Sequence, residues 1–274
     1  MSDRRKALEF GKNKPDFRRK NERYRPREQP EPSTVAVKLG PTRIGLVGAT
    51  GLIGTRVIEI ASASDEARIV GIARREAKLP DGARMEMFVA ESDKWGEVLE
   101  AVQPRSLICA LGTTMSKVGG DEDAFRAVDQ DLIIATAEAA VAAGVPNMVL
   151  VSSAGADPMS KNFYLRVKGE TEKLISKVGL KRLDILRPGL LRGVREDDFR
   201  LVEKLAMVAS PITDPLLPQK WSKYRSIDAD LVAEAALGLG MRKAAGRFTH
   251  DNEGMKRAAR EWRSAVERHA PKED

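Results

Sequence analysis

The sequence predicts an α/β fold, a doubly wound parallel sheet with helices on both faces. From Thr42 onward, short apolar runs of strand length alternate with segments that are apolar at helical spacing. The first of these runs ends in closely spaced glycines that lead into a helix. The chain of 274 residues, 42% of them hydrophobic, is long enough to bury a sizeable core. Alternating strands and helices indicate parallel strands joined by right-handed crossovers.

The elements follow one another in a regular order. Six runs are predicted strands, in chain order "TRIGLVGAT", "ARIVGIARR", "MEMFVAES", "RSLICALGTT", "NMVLVSSAGA" and "RLDILRPGLLRG". Predicted helices between them include "GTRVIEIASAS", "DLIIATAEAAVAAG" and the segment that carries Tyr164. The segment from about 195 to 226 is irregular and rich in proline. "DADLVAEAALGLGM" and the amphipathic "DNEGMKRAAREWRSAVERHA" are predicted to close the chain as helices.

The N-terminal 41 residues differ from the rest of the chain in charge. Residues 1–40 carry 12 Lys and Arg against 6 Asp and Glu, whereas the remaining 234 residues carry 35 against 34. The pI of 9.5 therefore belongs mostly to this tail, and we do not expect the body to bind nucleic acid specifically. Too few aliphatic residues are present to offset the ordering entropy, which predicts a disordered, solubilising tail. A weak contact with an anionic partner is the alternative.

Cysteine and histidine usage limits the chemistry. Cys109 is the single cysteine, which excludes an internal disulfide and a cysteine-cluster metal site. The two histidines, His250 and His269, both lie near the C-terminus, so a histidine metal centre is not expected. The sequence shows neither an apolar run of about 18 residues nor the apolar h-region of a secretory signal. These observations predict a cytoplasmic protein with no membrane span.

Glycines recur every third residue between the first predicted strand and the first predicted helix, in "GLVGATGLIG". Such a turn needs φ values that a Cβ forbids, and it lets the backbone approach a diphosphate closely. The following helix offers free N–H groups and its positive dipole end to that anion. A tight turn without a ligand is the alternative, but the strand–loop–helix context favours a dinucleotide. The residues expected to contact it are Gly48, Ala49, Thr50, Gly51, Leu52, Ile53 and Gly54.

The end of the second predicted strand distinguishes NAD from NADP. An Asp or Glu at this point reads the ribose 2′-OH of NAD, whereas "GIARREA" places Arg74 and Arg75 there. Two guanidinium groups suit a 2′-phosphate, and Arg74 is also placed to stack on the adenine. Glu76 comes one residue late for the acidic role. The pattern favours NADP(H) over NAD, with an ordinary basic loop as the alternative.

The fourth predicted strand ends in "CALGTT", at the edge where a nucleotide crosses the sheet. We expect Leu111 and Gly112 to pass close to the ribose and nicotinamide half of the cofactor.

A tyrosine and a lysine lie four residues apart in "NFYLRVKGE", so Tyr164 and Lys168 share one helix face. An ammonium close to a phenol favours the phenolate, which makes Tyr164 a candidate proton donor to a carbonyl that is reduced by hydride. Lys168 is also placed to hold the cofactor ribose hydroxyls. Upstream, "VSSAGAD" ends the fifth strand with Ser152 and Ser153, either of which is a candidate hydrogen-bond donor to the same carbonyl oxygen.

This combination resembles the short-chain dehydrogenase/reductase superfamily, specifically its atypical, extended-like members. The resemblance runs from about Ile44 to Gly193 and continues more weakly to about Met241. Within that group the chain is most similar to the Tat-interacting-protein-like oxidoreductases. The similarity rests on "ARR" after the second strand, "LGTT" after the fourth, "FRAVDQDL", "SSAGAD…NFYLRVKGE" and "ILRPGLL".

The resemblance implies a Rossmann-type fold that binds NADPH, with Tyr164 and Lys168 as the catalytic pair and Ser153 or Ser152 in the serine role. It also implies that Leu190 and Arg192 lie beside the nicotinamide end.

The chain departs from the superfamily pattern at one point. Many members carry an asparagine in the helix after the fourth strand that completes a proton relay, whereas this chain has Asp129 and Asp131 in "AVDQDL".

Members of the subgroup are often better understood as NADPH binders or regulators than as enzymes with a settled substrate. Helix-mediated dimers are common in the superfamily, which leaves a homodimer open.

We therefore predict a basic tail over 1–41 and a Rossmann-type domain over 42–250, with a small substrate-side portion at about 193–226. An amphipathic helix over 251–274 follows. The leading function is NADPH-dependent reduction of a small-molecule carbonyl, or the reverse oxidation. A non-catalytic NADPH-binding regulator is the alternative, and a sugar-nucleotide type of epimerase or dehydratase is a further one.

Overall fold

The computed structural model describes residues 40–76, 79–192 and 225–269. The predicted basic tail as far as residue 39, and the predicted substrate-side segment from 193 to 224, lie outside the described residues.

The strands within these ranges are β1 (Thr42–Val47), β2 (Ala67–Ala73), β3 (Met85–Val89), β4 (Ser106–Cys109), β5 (Asn147–Val151), β6 (Arg182–Leu186), β7 (Leu191–Arg192), β8 (Ile227–Asp228) and β9 (Gly246–His250). The helices are α1 (Leu52–Ser62), α2 (Trp95–Val102), α3 (Glu122–Arg126), α4 (Leu132–Ala142), α5 (Phe163–Ile175), α6 (Ala229–Gly240) and α7 (Asn252–His269). A 3-10 turn at Ser92–Lys94 precedes α2, and a π-helical segment at Ala127–Asp131 joins α3 to α4.

Seven strands form one sheet in the order β3-β2-β1-β4-β5-β6-β9, and every pairing in it is parallel. This arrangement confirms the predicted doubly wound α/β class. The strand order reverses between β1 and β4. In open sheets of this kind, ligands bind in the crevice outside the carboxyl ends of the strands at such a reversal. Strands β7 and β8 pair separately from the main sheet.

Two apolar layers cover the sheet. Helices α1, α6 and α7 pack on one face through residues such as Val57, Val232 and Trp262, while α2 and α4 pack on the other through Trp95 and Ile133. Burial on both faces explains why the central strands appear in the sequence as continuous apolar runs. No helix in the described ranges has both the length and the hydropathy that a membrane span requires.

Three strands, β7, β8 and β9, differ from the prediction, and the two-residue β8 was not predicted. The predicted strand "RLDILRPGLLRG" divides into β6 and the two-residue β7, because Pro188 between them lacks the N–H that continues a ladder. Strand β9 was not predicted at all. It lies at the edge of the sheet, and its central residues Arg247, Phe248 and Thr249 are exposed, so it carries no apolar run.

Candidate active site

The loop between β1 and α1 is packed so tightly that only glycine fits at two positions. Gly48 has a φ of +86°, and a Cβ there would lie 2.4 Å from the carbonyl carbon of Ala110, just after β4. A Cβ at Gly54 would lie 2.2 Å from the Gly48 carbonyl oxygen. Gly51 caps α1 without a side-chain hydrogen bond, which leaves the N–H groups of the first turn for a ligand. These features fit the diphosphate of a dinucleotide.

The residues after β2 are open to solvent. Arg74, Arg75 and Glu76 are all exposed, and neither arginine forms an ion pair with a residue that the structure describes. Their guanidinium groups therefore remain free to meet an anion at the end of β2.

The residues after β4 meet the lysine helix. Leu111 is half-buried and Gly112 is exposed. A Cβ at Gly112 would lie 3.4 Å from Asp129 Oδ1 and 3.9 Å from Lys168 Nζ. The structure thus brings the end of β4 and the predicted lysine to the same corner of the sheet.

Helix α5 presents Tyr164 and Lys168 one turn apart. Asn162 caps the helix two residues before Tyr164, and its side chain accepts a 3.1 Å hydrogen bond from the Leu165 N–H. The half-buried Tyr164 ring packs edge-to-face on Phe125, with 5.8 Å between ring centroids. Lys168 Nζ lies 6.0 Å from the centroid of the Tyr164 ring. The structure therefore places the two predicted residues together.

Lys168 has a buried counter-ion. Its Nζ lies 2.7 Å from Asp129 Oδ1, and the two side chains are only 7% and 1% exposed. Burial pulls the pKa of Lys168 down, but its interactions with Tyr164 and with the Asp129 carboxylate outweigh that effect, and the pKa is raised above its usual value. The sequence placed Asp129 in the right helix but did not reveal this pairing. A lysine that is buried in a fold requires a paired charge. That requirement, applied to Lys168, could have directed the search in the sequence to a nearby carboxylate.

The two candidate serines differ in their surroundings. Ser152 is buried and donates a 2.5 Å hydrogen bond to Glu172 Oε1. Glu172 is itself ion-paired with Arg187, and neither residue was predicted. Ser153 is half-exposed, with only a 3.4 Å contact from its Oγ to the Ala154 carbonyl oxygen. The hydroxyl of Ser152 is therefore already used, whereas that of Ser153 remains available.

Leu190 and Arg192 make no described contact with the Tyr164–Lys168 pair. The Leu190 carbonyl oxygen accepts a 2.9 Å hydrogen bond from the Ile227 N–H, and Arg192 is an exposed residue of β7. No described contact joins either residue to Tyr164 or Lys168.

Cys109 is an inert thiol in this setting. It is fully buried at the end of β4, and burial raises the pKa of its thiol to about 12. Among the described residues, no group of His, Cys, Asp and Glu side chains is arranged to hold a metal ion.

The fold, the glycine loop and the crevice define a dinucleotide-binding protein of the Rossmann type. Residues 48–212 match the family model described as NAD(P)H-binding, and the chain belongs to that family. It is 33% identical over 220 residues to "Protein fmp52, mitochondrial" of Aspergillus niger, which covers 77% of this chain and 92% of the relative. It is 32% identical over 208 residues to "Protein FMP52, mitochondrial" of Candida albicans, with 74% and 90% covered.

Solved structures share the fold at low sequence identity. The UDP-glucose 4-epimerase of Thermotoga maritima, solved with UDP-glucose, superposes with a TM-score of 0.58 at 14% identity and covers 84% of both chains. MoeE5 in complex with UDP-glucuronic acid and NAD gives 0.58 at 15% identity, with 76% of this chain and 75% of that chain covered. At this identity the likenesses show a shared fold, the Rossmann-type α/β architecture.

The predicted cytoplasmic location is wrong in the light of these relatives, which are named mitochondrial proteins. The prediction rested on the lack of an apolar h-region, which argues against secretion. Mitochondrial transit segments are amphipathic and rich in arginine, without such a region. The absence of an h-region therefore does not test for mitochondrial import.

Proposed function

We propose that the protein is an NADPH-dependent oxidoreductase that reduces a small-molecule carbonyl, or oxidises the alcohol in the reverse direction. The observation that carries the proposal is the position of Tyr164 and Lys168. They lie on one face of α5, and Lys168 reaches the corner where Gly112 follows β4. That corner belongs to the crevice in which sheets of this order bind their ligands.

The cofactor supplies the hydride, and the chain supplies its cradle. The glycine loop and the N-terminus of α1 suit the diphosphate. Arg74 and Arg75, exposed at the end of β2, suit a 2′-phosphate through charge-assisted hydrogen bonds. This arrangement supports NADPH rather than NADH as the preferred form.

The proton comes from Tyr164 in this proposal. Lys168 is kept charged beside it, and Ser153 donates a hydrogen bond to the carbonyl oxygen, because the Ser152 hydroxyl is held by Glu172. Ser153 is the better candidate for a further reason. To bind a substrate, its hydroxyl needs to break only the 3.4 Å contact with the Ala154 carbonyl oxygen.

The test is carbonyl-dependent oxidation of NADPH by the full chain, measured for the natural sequence and for Tyr164→Phe. Because a general acid contributes about 10²- to 10⁴-fold to turnover, we expect a loss of that size. NADPH affinity, measured by calorimetry, should change little. Tyr24→Phe, in the N-terminal segment, is the matched control and should leave turnover intact.

Retention of turnover in Tyr164→Phe would exclude the proposed proton donor. NADPH binding without turnover of any carbonyl would favour the regulator, whose affinity is indifferent to Tyr164→Phe. Product formation without net NADPH consumption would favour the epimerase.

We also propose a mitochondrial location, on the basis of the names of the relatives. Fractionation of eukaryotic cells that express the full chain should recover it in mitochondria, protected from added protease. A version that lacks residues 1–39 shows whether the basic segment is required for import. Recovery of the full chain in the cytosol alone would contradict the proposal.

A further inference from the structure

Lys168 is enclosed by titratable groups from several elements. Asp129 faces it from the π-helical segment, Tyr164 from its own helix and Cys109 from the end of β4. The Cys109 thiol, with a pKa of about 12, stays protonated across the working range of pH. Asp129 is therefore the fixed negative charge beside the lysine.

Asp129 is held by hydrogen bonds to both its side chain and its backbone. Its Oδ2 accepts a 2.7 Å hydrogen bond from the Thr113 N–H, directly after Gly112. Its carbonyl oxygen accepts a 3.0 Å hydrogen bond from the Thr171 hydroxyl on α5. Anchors on the loop after β4 and on α5 leave the carboxylate little freedom, so the Lys168 ammonium that it binds is also held in one position.

Gly112 is a second neighbour of the Lys168 ammonium. Gly112 is exposed, and a Cβ there would lie 3.9 Å from Lys168 Nζ, so the ammonium lies next to a residue that solvent reaches. A lysine ammonium has three N–H donors, and the Asp129 carboxylate occupies only one direction.

We propose that Asp129 is a positioning residue whose carboxylate keeps Lys168 charged and directs its remaining N–H donors past Gly112 to the ribose hydroxyls of the nicotinamide half of the cofactor. In this proposal the Lys168–Asp129 ion pair, and not Lys168 alone, assists Tyr164. This inference rests on the proposed function only for its kinetic measurement, because NADPH binding tests it separately.

The pair has a consequence for pH dependence. Burial is the largest influence on the Lys168 ammonium and lowers its pKa, and its interactions with Tyr164 and with the Asp129 carboxylate together reverse that effect. Removal of the Asp129 charge takes away one of the influences that oppose burial, so we expect the pKa of Lys168 to be lower than in the natural chain. The variant should therefore lose the Lys168 ammonium at a lower pH than the natural chain does.

Asp129→Asn tests this directly, because the amide retains an acceptor for the Thr113 N–H and nearly the same volume. Asp131→Asn is the matched control, since Asp131 is exposed two residues further on and its loss changes the net charge equally. NADPH dissociation constants are measured by calorimetry from about pH 8 to about pH 9.5, well above the second phosphate pKa of about 6.

We expect Asp129→Asn to lose about tenfold in NADPH affinity over this range, the size of a hydrogen bond from a charged donor. The natural chain and Asp131→Asn should show a flat profile. If carbonyl reduction is observed, its kcat in Asp129→Asn should decline over the same range. Parallel behaviour of Asp129→Asn and Asp131→Asn, or an affinity loss that is equal at every pH, would overturn the proposal.

A second variant covers the case in which Asp129→Asn does not fold. Asp129→Asn combined with Lys168→Met removes both charges, so no uncompensated charge remains buried. We expect this double variant to fold and to bind NADPH more weakly than the natural chain, with no dependence on pH. Affinity equal to that of the natural chain would show that the pair does not serve the cofactor.

Discussion

Two buried carboxylates in this molecule, Asp129 and Asp184, are equally hidden from solvent but differ in what surrounds their partners. Each side chain is 1% exposed and each faces a cation. Asp184 Oδ2 accepts a 2.6 Å hydrogen bond from Arg182 Nε, and its Oδ1 accepts one of 2.9 Å from Arg182 Nη2. His250 Nε2 lies 2.8 Å from the same Oδ1. Both oxygens of the Asp184 carboxylate are therefore engaged by protein groups, in three contacts.

The cations that face these carboxylates, Arg182 and Lys168, also differ in how many protein partners they have. Arg182 gives another hydrogen bond, of 2.7 Å, to the Ala244 carbonyl oxygen, and its guanidinium stacks 4.4 Å from the centroid of the Phe248 ring. Lys168 meets one carboxylate and then the exposed Gly112. Burial of charge is common to both clusters, so burial alone does not distinguish them. The Lys168 cluster differs in that it lies beside the exposed Gly112 and gives its cation fewer protein partners, and for that reason we propose it as the functional one.

The largest expected effect tests whether the Asp184 cluster is purely structural. Asp184→Asn leaves Arg182 buried without its counter-ion, and removal of one partner from a buried pair costs about 3–5 kcal/mol. Denaturant unfolding should show a loss of that size. NADPH affinity, measured where the variant is still folded, should stay unchanged. A parallel loss of affinity would mean that the two clusters are not separate in function.

A smaller effect is expected from the two serines, which repeat the contrast between used and unused donors. Ser153→Ala removes the available hydroxyl, and loss of such a donor lowers kcat by about 10²- to 10³-fold, with little change in stability. Ser152→Ala removes a buried partner of Glu172, which lowers the free energy of unfolding by about 1–3 kcal/mol. Steady-state kinetics and denaturant unfolding separate the two. A loss of kcat in Ser152→Ala, with kcat unchanged in Ser153→Ala, would identify Ser152 as the serine that assists Tyr164.

The smallest effect concerns the exposed arginines after β2. Arg74→Gln and Arg75→Gln should each weaken NADPH binding by about 1.5–3 kcal/mol, the size of a hydrogen bond with a charged group, and leave NADH binding unchanged. Arg68→Gln, exposed on β2 itself, is the matched control. Calorimetric titration with both cofactors measures the difference. Equal losses for NADPH and NADH would exclude a 2′-phosphate as the partner of these arginines.

The sequence predicts much of the fold because strands buried on both faces and a glycine loop are patterns of consecutive residues. Strand β9 carries no such pattern, since an edge strand with exposed Arg247 and Phe248 lacks an apolar run. The site is predicted less fully. Tyr164 and Lys168 come from local spacing, but the pairing of Lys168 with Asp129 joins residues that are distant in the sequence.

The choice between the serines is likewise tertiary. It depends on Glu172, which accepts hydrogen bonds from Ser152 and from Arg187 only after α5 packs on the sheet. No periodicity reveals which of two adjacent hydroxyls this carboxylate will bind.

The π-helical segment Ala127–Asp131 has a consequence for how the site is gained and lost. A π turn spans i to i+5 and so holds one residue more than an α turn, while each residue of an α-helix advances the chain by about 100°. With α4 held by its packing on the sheet, deletion of Gln130 or Asp131 should shift Asp129 by one helix position, about 100°, away from Lys168. In genetic terms, a single codon separates a chain with this ion pair from a chain of the same fold without it.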